Sequence, residues 1–205
     1  MATVALPALK WDRAYPQLVD SVSASRQGDR AISFVETDDP YWLITMRTMP
    51  LSNADRHILE AFVSETKRGM NTVLFIPPID CIPRAYWGDS NNAALTNTGN
   101  LVSITSGDTL NINSVTTGLK LMKGDLIGLT TGAYNLIVRC RQDVTAVAAA
   151  ITSLKVDPPI PAYITAGAVV TFKYPVMNTR LLPNSFSMPD DNWPVATFQL
   201  QEVPQ

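Results

Sequence analysis

The chain is expected to be mainly β: a β-sandwich domain with one α-helix, carrying a small β-barrel inserted in its middle. Three observations predict this. Apolar residues alternate with polar ones near both ends, the period of half-buried strands. A single segment, from about residue 54 to 68, carries apolar residues at helical spacing. Two proline pairs bracket a middle stretch rich in Gly, Asn and Thr, whose apolar runs are short.

In Ala31-Ile32-Ser33-Phe34-Val35-Glu36, Ile32 and Phe34 face one way and Ser33 the other. In Tyr41-Trp42-Leu43-Ile44-Thr45-Met46-Arg47, the residues Trp42, Ile44 and Met46 share a face. Two strands follow from this pattern, with Asp38-Asp39-Pro40 as the turn between them. The helix comes next. Ser52 is its N-cap, with Asp55 three residues on in a capping-box-like arrangement. Ile58, Leu59, Phe62 and Val63 form its apolar stripe; Lys67 and Arg68 sit at the negative end of its dipole, and Gly69 supplies a left-handed cap. Val73 to Ile76 reads as a buried strand that Pro77-Pro78 ends.

The second proline pair, Pro158-Pro159 with Pro161 behind it, places the barrel at residues 79–161 and the discontinuous outer domain at 1–78 and 162–205. Past it, Val170, Phe172 and Tyr174 alternate with Thr171 and Lys173. Near the end, Ala196, Phe198 and Leu200 alternate with Thr197, Gln199 and Gln201.

Composition excludes several classes. At 205 residues there is enough chain for a sizeable core. Net charge is −2 with no basic run, which argues against phosphate-driven, sequence-specific nucleic-acid binding. Charged residues are 17%, below the roughly 25% usual for soluble domains. Either partners cover part of the surface, or Ser, Thr and Asn dress it. No apolar run approaches the ~20 residues that span a bilayer, so no membrane insertion is expected. The first residues, MATVALPALKWDRAYP, have too short an apolar stretch for a signal peptide, and no N-x-[ST] sequon occurs. Cys81 and Cys140 are isolated and read as free buried thiols.

The stretch Met122 to Val138, MKGDLIGLTTGAYNLIV, raises the question of a phosphate loop. Such a loop needs G-x-x-x-x-G-K-[ST] between a strand and a helix. Here the lysine precedes the glycine, a carboxylate follows, and the next residues alternate. Lys123-Gly124-Asp125 and Thr130-Thr131-Gly132-Ala133 therefore read as turns in a run of hairpins.

No catalytic, cofactor or metal site is expected. His57 is the one histidine, with no G-x-S-x-G elbow to serve it, and reads as an ordinary helix residue. Asp38-Asp39 and Asp190-Asp191 are sequence neighbours in turns rather than carboxylates facing across a cleft. Tyr86, Trp87 and Trp11 can stack on sugars, although core or interface packing is the favoured reading.

The order of these elements resembles the distal tail proteins of long-tailed bacteriophages. The resemblance covers most of the chain past Arg30. It rests on the strand Tyr41-Trp42-Leu43-Ile44-Thr45-Met46, the helix ending at Lys67-Arg68-Gly69, and the strand Val73 to Pro77. It continues through Leu121-Met122-Lys123-Gly124-Asp125-Leu126, Ala133-Tyr134-Asn135-Leu136-Ile137-Val138, Val156-Asp157-Pro158-Pro159 and a last pair of strands. It implies a β-sandwich that assembles into a ring, a hexamer, at the tail tip of the virion, put together in the host cytoplasm. Such a ring continues the tail tube and docks hub or fibre proteins. The inserted barrel would be of the oligonucleotide/oligosaccharide-binding (OB) type, projecting outward. The alternative reading of the residues is a carbohydrate-binding module, in which the barrel's Tyr86 and Trp87 read a host-surface saccharide. The ring would enclose a DNA channel, and a slightly acidic wall suits DNA passing without sticking. No catalytic residues carry over.

Overall fold

The computed structural model describes residues 2–26, 32–79 and 81–204. The fold is mainly β, with several sheets and one α-helix among the described residues.

Near the N-terminus, β1 (Thr3–Ala5) is followed by a long antiparallel hairpin of β2 (Trp11–Arg26) and β3 (Ile32–Thr48). The helix α1 (Asn53–Glu65) and β4 (Thr72–Phe75) come next. Near the C-terminus lie β13 (Met177–Leu181) and β14 (Thr197–Glu202). These six strands form one sheet in the order β1-β4-β13-β14-β3-β2. Trp42, Ile44 and Met46 all point to one face and are fully buried, as their alternation predicts. Ala14, Pro16 and Leu18 lie opposite Met46, Ile44 and Trp42, and Phe198 and Leu200 pair with Met46 and Ile44, so one side of the sheet is a continuous apolar surface.

The helix begins where its cap predicts. The Ser52 hydroxyl accepts from the Asp55 N–H and donates to the Asp55 carboxylate at 2.8 Å. Leu59 and Phe62 are buried, with Phe62 against Phe198 at 6.1 Å between ring centroids. Ile58, expected in the stripe, is about half exposed. The helix ends at Glu65, three residues before the expected end. Lys67 and Arg68 take left-handed backbone angles ahead of Gly69 (φ +91°). Gly69 passes so close to the Leu181 carbonyl that a side chain has no room.

The strands Ile32–Glu36 and Tyr41–Arg47 are one element, not two. Asp38-Asp39-Pro40 lies inside β3, where the register against β2 slips between Val19 and Val22. A bulge has no ladder bond to lose at the proline, so turn-forming residues fit there as well as in a turn. Ile32 and Phe34 are exposed rather than core-facing. Ala31, expected to open the strand, lies outside the described residues.

Between β4 and β13 stands a closed six-stranded barrel of β5 (Gly99–Thr105), β6 (Thr109–Asn113), β8 (Leu126–Thr131), β9 (Tyr134–Cys140), β11 (Ala150–Asp157) and β12 (Val169–Thr171). A two-stranded ribbon, β7 (Lys120–Leu121) with β10 (Val144–Thr145), completes it. The barrel runs past the expected boundary at residue 161, because β12 pairs with β5 and β8. Ile164, Ala168, Val170 and Phe172 belong to the barrel core. The chain leaves the barrel at Pro175, not at Pro158-Pro159.

The stretch Met122 to Val138 forms hairpins. Gly124 (φ +97°) sits in a turn closed by Asp125 N–H to the Met122 carbonyl at 3.0 Å. Gly132-Ala133 links β8 and β9, with Thr131 opposite Tyr134. A strand follows the glycines, where a phosphate loop needs a helix. The two strands are buried on both faces. Ile127, Leu129, Leu136 and Val138 face the barrel core, while Leu126 and Ile137 face the sheet. The alternation expected there is not what the strands show: Leu126-Ile127 and Leu136-Ile137-Val138 are buried consecutively, as in strands covered on both faces. The apolar side of the sheet is thus covered by the helix at one part and by barrel strands at another.

Candidate functional surfaces

Three features stand apart from the core. The first is an arm. Beyond Asp20 the β2–β3 hairpin runs without a third strand, tied by ladder bonds and by the Thr37 hydroxyl donating to the Ser21 carbonyl at 2.7 Å. Ala24 pairs with Phe34, Arg26 with Ile32 and Val22 with Glu36, so these side chains share one face. Phe34 is 69% exposed, and Val22, Ile32 and Val35 are each about half exposed. A bare two-stranded ribbon is marginal in water.

The second is a cleft of about 310 Å³ at the root of that arm. Asp38, Asp39 and Tyr41 of β3 form one wall; Pro158 to Tyr163 form another; Glu202 and Pro204 close it. Glu202 Oε2 accepts the Trp42 N–H at 2.9 Å, which satisfies the strand where the β3–β14 ladder ends. Burial pushes the Glu202 carboxyl up to about 7, with the Trp42 N–H pulling partly the other way. Burial, then the Glu202 charge, pushes the Tyr163 phenol up. Among the described residues none of the three carboxylates forms an ion pair with the chain itself.

The third is a cleft of about 220 Å³ where Tyr15 of the sheet meets Trp87, Arg84 and Lys123 of the barrel. Trp87 is 58% exposed and its indole N–H reaches the Ile82 carbonyl at 3.2 Å. Arg84 is anchored, its side chain donating to the Lys123 carbonyl and lying 3.5 Å from Asp125. Asp125 is 4% exposed and accepts from the N–H groups of Met122 and Arg84 at 2.7 and 3.1 Å.

The other singled-out residues take ordinary places. The Tyr86 hydroxyl accepts from the Lys120 N–H at 2.9 Å, and its ring packs on the barrel core. Trp11 packs edge-on against Phe198 at 5.8 Å. His57 is exposed on the helix, 3.7 Å from Glu60. Asp190 lies 3.6 Å from Arg56, and Asp191 accepts from the Asn192 N–H. Cys81 is half-buried and Cys140 buried, both free; burial, then the Asp125 charge, pushes the Cys140 thiol up to about 12. Among the described residues no group of three His, Cys, Asp or Glu could hold a metal, and no helix is long and apolar enough to cross a membrane.

Sequence reasoning missed the arm's first strand and the root cleft. Ala14, Pro16 and Leu18 alternate and were a usable signal. Glu202 carries none, since a strand-end carboxylate is common. No family model matches this chain, and no curated protein matches it.

Proposed function

We propose that the chain is a structural subunit, not an enzyme, which assembles head to tail into a six-fold ring at the distal end of a phage tail tube. There it joins the tube to the tail-tip hub or fibre proteins, and the barrel is an OB-like insert directed outward from a sandwich-type ring domain. The observation that carries this reading is the arm. Four large apolar side chains stand in solvent on a ribbon to which no described strand adds a third partner. Apolar surface of this kind favours a partner. A head-to-tail contact closes into a ring when the rotation permits. The order of motifs along the chain, similar to the distal tail proteins, supports the same reading, as does the closed barrel between β4 and β13.

Negative-stain electron microscopy of the concentrated, purified protein tests it. Six-fold rings with outward knobs are expected. Particles that stay single at every concentration overturn the ring.

The exposed Trp87 beside the smaller cleft favours a second role, saccharide binding by the barrel as an adhesion function. A tryptophan face stacks on sugar rings, and Lys123 adds a cation suited to acidic sugars. A glycan array with no signal removes this role without touching the ring.

A further inference from the structure

We infer that the apolar face of the arm, ending in Arg26, docks in the arm-root cleft of a second copy, with the Arg26 guanidinium against Asp38 and Asp39. This rests on the ring reading and names the two surfaces that meet.

The arm presents Phe34, Ile32 and Val22 on one face, with Arg26 beside Ile32 at its described end. Arg26 is exposed and has no ion pair among the described residues. The cleft presents the reverse chemistry. It is lined by Tyr41, Tyr163 and prolines, apolar and stiff, and by Asp38, Asp39 and Glu202, none of them paired to a cation among the described residues. The Asp38 carboxylate is spent only on the neighbouring Asp39 N–H, at 2.9 Å. Each surface therefore combines apolar side chains with charge, of opposite sign on the two. A planar guanidinium suits a pair of adjacent carboxylates better than an ammonium does.

The chain's own arm cannot serve its own cleft. The cleft lies at the arm's root, and about seven residues of strand carry Arg26 roughly 20 Å away from it. An Arg26 that reaches the cleft therefore belongs to another molecule. Tip-to-root contact uses two different surfaces, so each subunit keeps one free tip and one free root until the ring closes.

Sedimentation of the full chain, unmodified and substituted at these exposed positions, tests the docking. Arg26→Glu, or Asp38→Lys with Asp39→Lys, is expected to weaken self-association about tenfold or more. The distinguishing experiment mixes the two defective chains. The intact tip of the Asp38→Lys/Asp39→Lys chain meets the intact root of the Arg26→Glu chain, and the two reversed surfaces are complementary as well, so the mixture regains the self-association that neither chain has alone. Reversals that leave association unchanged, or a mixture that stays monomeric, overturn the docking while rings of the unmodified chain leave the ring standing. An unmodified chain that never self-associates overturns both. Circular dichroism identical to the parent shows that each variant is folded.

Discussion

The indole N–H of Trp42 donates to the backbone carbonyl of Ile137 at 2.7 Å, across 95 positions of sequence. Both groups are buried. The bond joins β3, next to the edge of the six-stranded sheet, to a barrel strand, and Arg139 lies over the Trp42 ring at 5.0 Å. Replacing Trp42 with Phe keeps an aromatic face but leaves the carbonyl without its donor. A loss of about 1–3 kcal/mol is expected from urea unfolding. If the loss is nil, the bond contributes nothing net, and packing alone joins the two parts.

Gly69 and Gly118 both have positive φ, but their surroundings differ. A Cβ on Gly69 collides with the Leu181 backbone, whereas one on Gly118 meets open space. Gly118→Ala should cost about 1 kcal/mol, the conformational term alone. Gly69→Ala should cost at least about 3 kcal/mol, since a strand must move. Equal thermal shifts for the two variants would show that the helix end can retreat from β13.

Glu202 sets a pH dependence with a definite sign. Its carboxyl titrates near 7 in the folded chain against an ordinary 4.5. Between those values the folded form keeps a proton that the unfolded form has lost. Stability is therefore full below about pH 4.5, falls as pH rises to about 7, and levels off above. Glu202→Gln should remove this slope. It should stabilise the chain by about 1–3 kcal/mol at pH 8 and leave it unchanged at pH 4. A variant no more stable than its parent at pH 8 contradicts the burial of the charge.

The two thiols should separate by reactivity. A thiolate is the reacting form, and Cys140 is buried with its thiol pushed up to about 12. Cys81 is half-buried and should label first with an aromatic disulfide reagent at pH 8, one equivalent per chain. Cys140 should wait for unfolding. Two equivalents in the native state would mean that the barrel opens readily at the Asp125 turn.

Where one face of a strand is buried, the sequence is easy to read. Trp42, Ile44 and Met46, and later Ala196, Phe198 and Leu200, announce their side by alternation, and Ser52 announces the helix through its bond to Asp55. The same rule misled at Ile32 and Phe34. Alternation reports a side that wants burial, not that the chain itself supplies it, and here the face is left open. Pro158-Pro159 misled for another reason. They mark a crossing over the barrel, and the strand beyond them, β12, returns to pair with β5 and β8. Prolines record where a ladder stops but not which sheet the next strand joins. The root cleft was illegible because its walls come from β3, from the crossing and from β14, joined only by folding.

The place where the barrel leaves and rejoins the sheet has its own consequence. Phe75 and Met177 are direct partners in neighbouring antiparallel strands, about 5 Å apart. A two-residue turn would bridge that gap as well as the hundred or so residues that do so now. The sheet therefore has no means of sensing how long its connection is, and drift in the insert's length or sequence goes unpunished by the sheet's own geometry. Only the few contacts that reach back, Leu126 and Ile137 against the sheet among them, tie the fate of one to the other. The rest of the barrel surface is free to change without disturbing the strand pairing of the sheet.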